Sequence, residues 1–254
     1  MDSDVAGSAS PPAPRGLGGR ERPRRWGLGD AAAGMAVGVV LSSTAASIWL
    51  GATGSEELGL GGKELGQLAL WVGLVGCVLW ASRRKGSGSL AEDFGWRIRP
   101  VDLAIGVAVA VAAQLFLAQV VARLLEPLVG DPEVASRPVQ ELVDSAGGAR
   151  FVGLLLFVAV GAPIVEELFF RGLLLRSLQR RVRNDTLAVV LSGALFAAPH
   201  IQALPGGALV LVLLSLFLLG IALAALAART GRLGPGIVAH SAFNAISLVT
   251  VLLK

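Results

Sequence analysis

Residues 151–171 read FVGLLLFVAVGAPIVEELFFR, a stretch in which an apolar run suddenly carries two adjacent glutamates and an arginine. An apolar stretch of about 20 residues is long enough to cross a bilayer as a helix. Because a charged side chain at membrane depth costs several kcal/mol, each one needs a partner or a function. In a helix Glu167 and Arg171 are i,i+4 neighbours in the favourable order, so we predict that they pair. Glu166 lies about 100° around the helix and remains available for chemistry.

This stretch also has a simpler explanation, in which both glutamates and Arg171 form one structural ion cluster near a helix end. Pro163 favours the functional interpretation, because proline removes an intrahelical hydrogen bond and frees a carbonyl near Ala159. Irregular backbone at membrane depth is tolerated mostly where it lines a cavity, and a carboxylate that uses water needs such a cavity.

The composition of the whole chain places it in a membrane. Of its 254 residues, 54% are hydrophobic and 16% charged, and the mean hydropathy is +0.70. Soluble domains carry about 25% charge, so a soluble enzyme is excluded, and a disordered chain is excluded as well. The single cysteine, Cys77, excludes an intramolecular disulfide framework and a cysteine-rich zinc site. The net charge is +4, but no aromatic and basic stretches occur together, so we expect no nucleic-acid partner.

The apolar runs predict an all-α, polytopic transmembrane helical bundle of about seven spans, with residues 1–26 as a disordered cytoplasmic tail. Gly34 and Gly38 of the first span have the GxxxG spacing of close helix pairs, although chance explains it equally well in so glycine-rich a chain. The predicted spans are 31–50, 65–82, 103–125, 151–173, 186–205, 207–228 and 233–253.

The loops between these spans predict the orientation of the bundle. Basic residues occupy the tail and every second loop, and acidic residues occupy the intervening loops. The positive-inside rule therefore predicts a cytoplasmic N-terminus in a multi-pass protein of the cell membrane. The basic residues are Arg15, Arg20, Arg22, Arg24, Arg25, Arg83, Arg84, Lys85, Arg97, Arg99, Arg176, Arg180, Arg181, Arg183, Arg229 and Arg232.

The only two histidines of the chain both fall in predicted spans. His200 lies in the fifth span, and His240 lies in the seventh span with Asn244 one turn further on. Together with Glu166, these residues predict a functional site rather than a structural network. A carboxylate and a histidine can activate water, while a second histidine and an amide can stabilise an oxyanion, which gives amide hydrolysis. Alternatively, Glu166, His200 and His240 form a three-ligand zinc site with an open position for water.

At these residues the chain resembles the CPBP intramembrane proteases, which include type II CAAX prenyl endopeptidases and bacteriocin-immunity proteins. Three ordered motifs carry the resemblance, Glu166-Glu167-x-x-x-Arg171, Phe196-x-x-x-His200 and His240-x-x-x-Asn244. The resemblance implies that Glu166 is the general base, assisted by His200, with His240 and Asn244 at the oxyanion. It implies that Glu167 and Arg171 hold the geometry of the site. Both a metalloprotease mechanism and a metal-free glutamate mechanism are proposed within the family.

Sequence and resemblance together divide the chain into three parts: the tail at 1–26, N-terminal transmembrane helices and loops at 27–150, and a protease-like catalytic core at 151–254. Span four must continue as a helix past Arg171, through about Leu178, for Glu166 and His200 to reach one depth. The expected partners are membrane lipid and a membrane-associated peptide or protein, including one with a lipidated C-terminus. Two other functions remain open, a non-catalytic immunity or assembly protein and a proton-coupled transporter.

Overall fold

The computed structural model describes residues 25–129, 132–201 and 206–253, and within these ranges every regular element is a helix. The all-α prediction is therefore confirmed. The described residues form twelve α-helices: α1 (Leu28–Thr53), α2 (Leu60–Lys85), α3 (Leu90–Phe94), α4 (Pro100–Phe116), α5 (Ala122–Val129), α6 (Arg137–Ala146), α7 (Arg150–Leu156), α8 (Ala162–Glu166), α9 (Leu175–Val182), α10 (Asp185–Ala197), α11 (Gly206–Thr230) and α12 (Gly234–Leu252).

Short π-helical and 3₁₀ segments join several of these helices. A π-helical segment at Leu117–Val121 runs from α4 into α5 without a break. Two more, Phe157–Gly161 and Glu167–Leu174, join α7, α8 and α9 into one helix of 33 residues. Two 3₁₀ segments, Pro132–Ser136 and Ala198–His200, precede α6 and follow α10. The prediction that span four continues past Arg171 is confirmed, because this helix ends at Val182.

In the described ranges, six helices are long and apolar enough to cross a membrane, and Asp185–His200 is a shorter apolar helix. The predicted membrane bundle is therefore confirmed, and the span count agrees approximately. The shorter helix corresponds to the predicted span 186–205, of which residues 202–205 lie outside the described ranges. Large apolar side chains such as Val40, Val72 and Leu124 are exposed on the outside of the bundle, where lipid would cover them.

The first two helices pack through glycine. A Cβ atom on Gly34 would lie 2.8 Å from the Cβ of Cys77, and one on Gly38 would lie 2.8 Å from a methyl carbon of Leu70. A Cβ atom on Gly73 of α2 would overlap the backbone of Gly38. The Gly34–Gly38 pair therefore brings α1 and α2 together, as small residues do in membrane helix pairs.

The basic segments of the chain meet at one end of the bundle, which we call the basic end. There Lys85 pairs with Asp30 at 2.7 Å, and Arg232 pairs with Asp102 at 2.6 Å. The hydrogen bond to Asp102 raises the pKa of the Arg232 guanidinium. The amide of Leu233 donates to the carbonyl of Gly95, which joins the loop before α4 to the loop before α12.

The packed bundle includes Trp26, which the sequence prediction assigned to the disordered tail. Its side chain is 4% exposed and packs against Phe94, with their ring centroids 4.9 Å apart. The guanidinium of Arg180 stacks over the Trp26 indole at 3.6 Å. Residues 1–24, the rest of the predicted tail, lie outside the described ranges.

Candidate active site

Glu166 lies at the middle of the helix Arg150–Val182, since sixteen residues precede it and sixteen follow it in that helix. At about 1.5 Å per residue, Glu166 lies roughly 24 Å from either end of the helix. Helical periodicity then directs Glu166 and Glu167 to different surroundings. The Glu166 side chain is 14% exposed, whereas the Glu167 side chain is completely buried.

One turn before Glu166, the π-helical segment Phe157–Gly161 distorts the helix immediately ahead of Pro163. In a π-helix the carbonyl of residue i accepts from the N–H of residue i+5. The carbonyl of Val158 cannot do so, because residue 163 is a proline and has no N–H. The side-chain amide of Asn244 donates to this carbonyl instead, with an Nδ2 to O distance of 2.9 Å. Pro163 does free a backbone carbonyl, as predicted. The carbonyl that Asn244 binds is that of Val158, whereas the prediction placed it near Ala159.

Behind the Glu166 position lies a buried ionic network. Arg171 Nη1 is 2.9 Å from Glu167 Oε1, and both side chains are 0% exposed, which confirms the predicted pairing. The same oxygen accepts from Nδ1 of His240 at 3.1 Å. Arg171 also donates to the carbonyl of Gly220 and stacks over the ring of Phe196 at 4.3 Å. Glu167 and Arg171 thus connect their own helix with α10, α11 and α12, and they fix the ring of His240.

The two histidines use their Nδ1 atoms for different partners. His240 binds Glu167 through Nδ1, and its Nε2 lies 3.9 Å from Oε2 of Glu166. His200 Nδ1 lies 3.0 Å from the carbonyl of Phe196. Because a carbonyl can only accept, Nδ1 of His200 carries hydrogen, and the neutral ring has its lone pair on Nε2. The ring of Phe196 contacts both histidines, with centroid separations of 5.5 Å to each.

All four predicted catalytic side chains line one cavity. Its volume is about 720 Å³, and Glu166, His200, His240 and Asn244 are all on its wall. Glu167 and Arg171 lie outside it, since they are fully buried in the network behind His240. The sequence motifs, which lie as far apart as residues 166 and 244, are thus brought to one surface by the packing of three helices.

The zinc site with Glu166, His200 and His240 as ligands stays a prediction. Within the described part of the chain, no three His, Cys, Asp or Glu side chains lie close enough together to hold an ion. His240 uses Nδ1 for Glu167, and His200 uses Nδ1 for a backbone carbonyl. Glu166, His200 and His240 therefore share a cavity, and the two hydrogen bonds at Nδ1 do not use Nε2 of either histidine.

Two further residues of the site were not predicted. Gln114 of α4 lines the cavity and donates to Ser247 Oγ at 2.7 Å and to the carbonyl of Phe243 at 3.0 Å. The sequence feature that could have predicted Gln114 is a polar amide inside an otherwise apolar span. The second residue is Gly236, which lies against the carboxylate of Glu167. A Cβ atom at this position would lie 2.9 Å from Glu167 Oε2. Only the three-dimensional packing reveals this close approach.

Comparison with known proteins agrees with the motifs. The model of the family described as type II CAAX prenyl endopeptidase Rce1-like matches residues 148–246, a range that contains all three motifs. The resemblance to this protease family is therefore confirmed for that part of the chain. No curated protein and no solved structure matches the chain.

Proposed function

We propose that this chain, whose residues 148–246 match the type II CAAX prenyl endopeptidase Rce1-like family, is an intramembrane endopeptidase. It hydrolyses a peptide bond of a membrane-associated substrate with water that Glu166 activates. The observation that carries this proposal is the convergence of Glu166, His200, His240 and Asn244 on one cavity between apolar helices long enough to cross a membrane. Four polar groups among such helices would be costly to maintain without a use.

The reaction follows from the hydrogen bonds of these side chains. Glu166 accepts a proton from water, and the water oxygen attacks the peptide carbonyl carbon. Nε2 of His200 holds the lone pair in the neutral ring, so it accepts a hydrogen bond from that water and orients it. The protonated Glu166 then gives its proton to the departing amine nitrogen, so the carboxylate is regenerated when the C–N bond breaks.

The developing oxyanion needs donors, and the cavity wall offers two. An amide NH₂ group has two hydrogens, and Asn244 uses one of them on the carbonyl of Val158, which leaves the second for the oxyanion. His240 can donate from Nε2 when its ring is protonated. Glu167 holds Nδ1 of that ring at 3.1 Å and so fixes which nitrogen reaches the cavity. Removal of one such preorganised donor lowers the catalytic rate by about 10²–10³-fold.

The test compares membranes that contain the wild-type protein with membranes that contain Glu166→Gln or His200→Ala. Peptide mass spectrometry then identifies fragments that depend on the intact site. We expect both variants to lose cleavage by roughly 10²–10⁴-fold while their level in the membrane stays normal. Glu92→Gln is the matched control, since Glu92 is an exposed carboxylate of α3 outside the cavity.

The same membranes decide between the alternatives. A wild-type fragment pattern in Glu166→Gln would contradict proteolysis and favour a non-catalytic immunity or assembly protein. Treatment with a chelator separates the two mechanisms, because the metal-free reaction proposed here survives it. Loss of cleavage that zinc restores would instead support a site in which Glu166, His200 and His240 bind the ion.

A further inference from the structure

The cavity extends from Glu166 toward one end of the bundle only. Its wall includes Leu60 and Lys63 in the first turn of α2 and Leu211 in the second turn of α11, and both helices begin at the end opposite the basic end. It also includes Thr250 near the end of α12, a helix that begins at the basic end. Of the described wall residues on each of their own helices, Glu166, Phe196 and His240 lie nearest to the basic end. The active site is therefore the floor of a cavity that runs away from the basic end.

The interior between this floor and the basic end is filled by packed side chains. Arg171 and Glu167 are 0% exposed, and Leu173, Leu175 and Phe169 are at most 1% exposed. Close packing of this kind leaves no path for a peptide. A substrate tail that approached from the basic end would have to displace the network that holds His240.

The charges at the two ends of the bundle indicate which end faces the cytoplasm. The basic end carries the described basic residues at the ends of α2 and α11, in and just after α9, and in the loops before α4 and α12. They are Arg83, Arg84, Lys85, Arg97, Arg99, Arg176, Arg180, Arg181, Arg183, Arg229 and Arg232. The opposite end carries many acidic residues, including Glu56, Glu57, Glu126, Glu141 and Asp144. Positively charged loops remain on the cytoplasmic side, so the cavity runs toward the non-cytoplasmic side.

We infer that the substrate is a peptide segment of a membrane-anchored protein that enters from the non-cytoplasmic side. This inference rests on the proposed function and narrows it, because a C-terminal tail exposed to the cytoplasm reaches the wrong end of the bundle. The cavity wall suits such a segment. Apolar residues such as Leu142 and Leu154 can receive its side chains, and the carbonyl oxygen of Gln114 can accept from a peptide N–H.

Cysteine labelling tests the direction of access without knowledge of the substrate. In a Cys77→Ser background, Ser215→Cys places a thiol on the cavity wall, and Ser87→Cys places a matched thiol in the exposed loop after α2 at the basic end. Intact spheroplasts are treated with a membrane-impermeant maleimide, and permeabilised ones serve for comparison. We expect the Ser215→Cys thiol to react in both preparations and the Ser87→Cys thiol to react only after permeabilisation.

Each other labelling outcome would overturn the inference. Reaction of the Ser87→Cys thiol in intact spheroplasts shows the opposite orientation. Reaction of the Ser215→Cys thiol only after permeabilisation, or in neither preparation, shows that the cavity is not reached from the non-cytoplasmic side.

The fragments that depend on Glu166 provide a second measurement. We expect their cleavage points to lie in non-cytoplasmic segments next to membrane anchors. Cleavage points in cytoplasmic segments would overturn the direction of access and leave the proteolytic function intact. The absence of any fragment that depends on Glu166 would contradict the proteolytic function itself.

Discussion

The buried pair of Glu167 and Arg171 yields the sharpest quantitative prediction, because neither charge can reach solvent. The two groups are 2.9 Å apart and both are 0% exposed. With an effective dielectric constant of about 20, Coulomb's law gives roughly 6 kcal/mol of attraction at this distance. Removal of one partner from a buried pair costs about 3–5 kcal/mol, since an uncompensated charge remains.

We therefore predict that Arg171→Met and Glu167→Gln each lower the free energy of unfolding by about 3–5 kcal/mol. The double variant leaves no buried charge, and the glutamine oxygen can still accept from Nδ1 of His240. It should be more stable than either single variant, which requires a coupling energy larger than the cost of either single substitution, that is, above about 3–5 kcal/mol. Unfolding by SDS in mixed detergent micelles, followed by far-UV circular dichroism, measures all four proteins.

An exposed ion pair of the same chain serves as the control for this cycle. Arg150 and Glu64 are 3.9 Å apart, with side chains 63% and 32% exposed. Their coupling energy should be at most about 1 kcal/mol, as for other surface pairs. Additive effects of Arg171→Met and Glu167→Gln would refute the reasoning, because they would show that the two charges do not depend on each other.

Two further predictions concern the backbone. Pro163→Ala supplies an N–H for the carbonyl of Val158, so we expect the thermal stability of the protein to stay the same or rise. We expect cleavage to fall, because a straighter helix moves Glu166. Cleavage at the wild-type rate would contradict this prediction. Gly73→Ala places a methyl group against the backbone of α1 and should destabilise the protein by roughly 1–3 kcal/mol in the same SDS assay. Gly76→Ala is its control, because a Cβ atom there meets nothing within 4 Å, and equal effects of the two variants would show that the close contact is unimportant.

Local spacing was sufficient to predict the parts of the site that lie on one helix. Glu167 and Arg171 pair because residues four apart share a helix face, and this rule needs no tertiary information. The different direction of the Glu166 side chain, about 100° around the helix from Glu167, follows from the same periodicity. The hydropathy of the runs likewise predicts the spans, since a bilayer demands about 20 apolar residues for each crossing.

Contacts between helices could not be predicted in the same way. The sequence gives no rotation or separation for α12 relative to the Arg150–Val182 helix. For that reason, the attachment of His240 to Glu167 and of Asn244 to the Val158 carbonyl emerged only from the structure. The place of Phe196 between two histidines and Arg171 is a consequence of the same packing.

The sequence by itself determined that this chain is a helical membrane protein, which few polar residues it carries into the membrane, and which end of the bundle is basic. These properties depend on composition and on spacing along one chain direction. The tertiary structure alone decided that the four polar residues share a cavity, and that the cavity opens away from the basic end. The physical reason is that a cavity is the space left by side chains of several helices, and no single helix contains it.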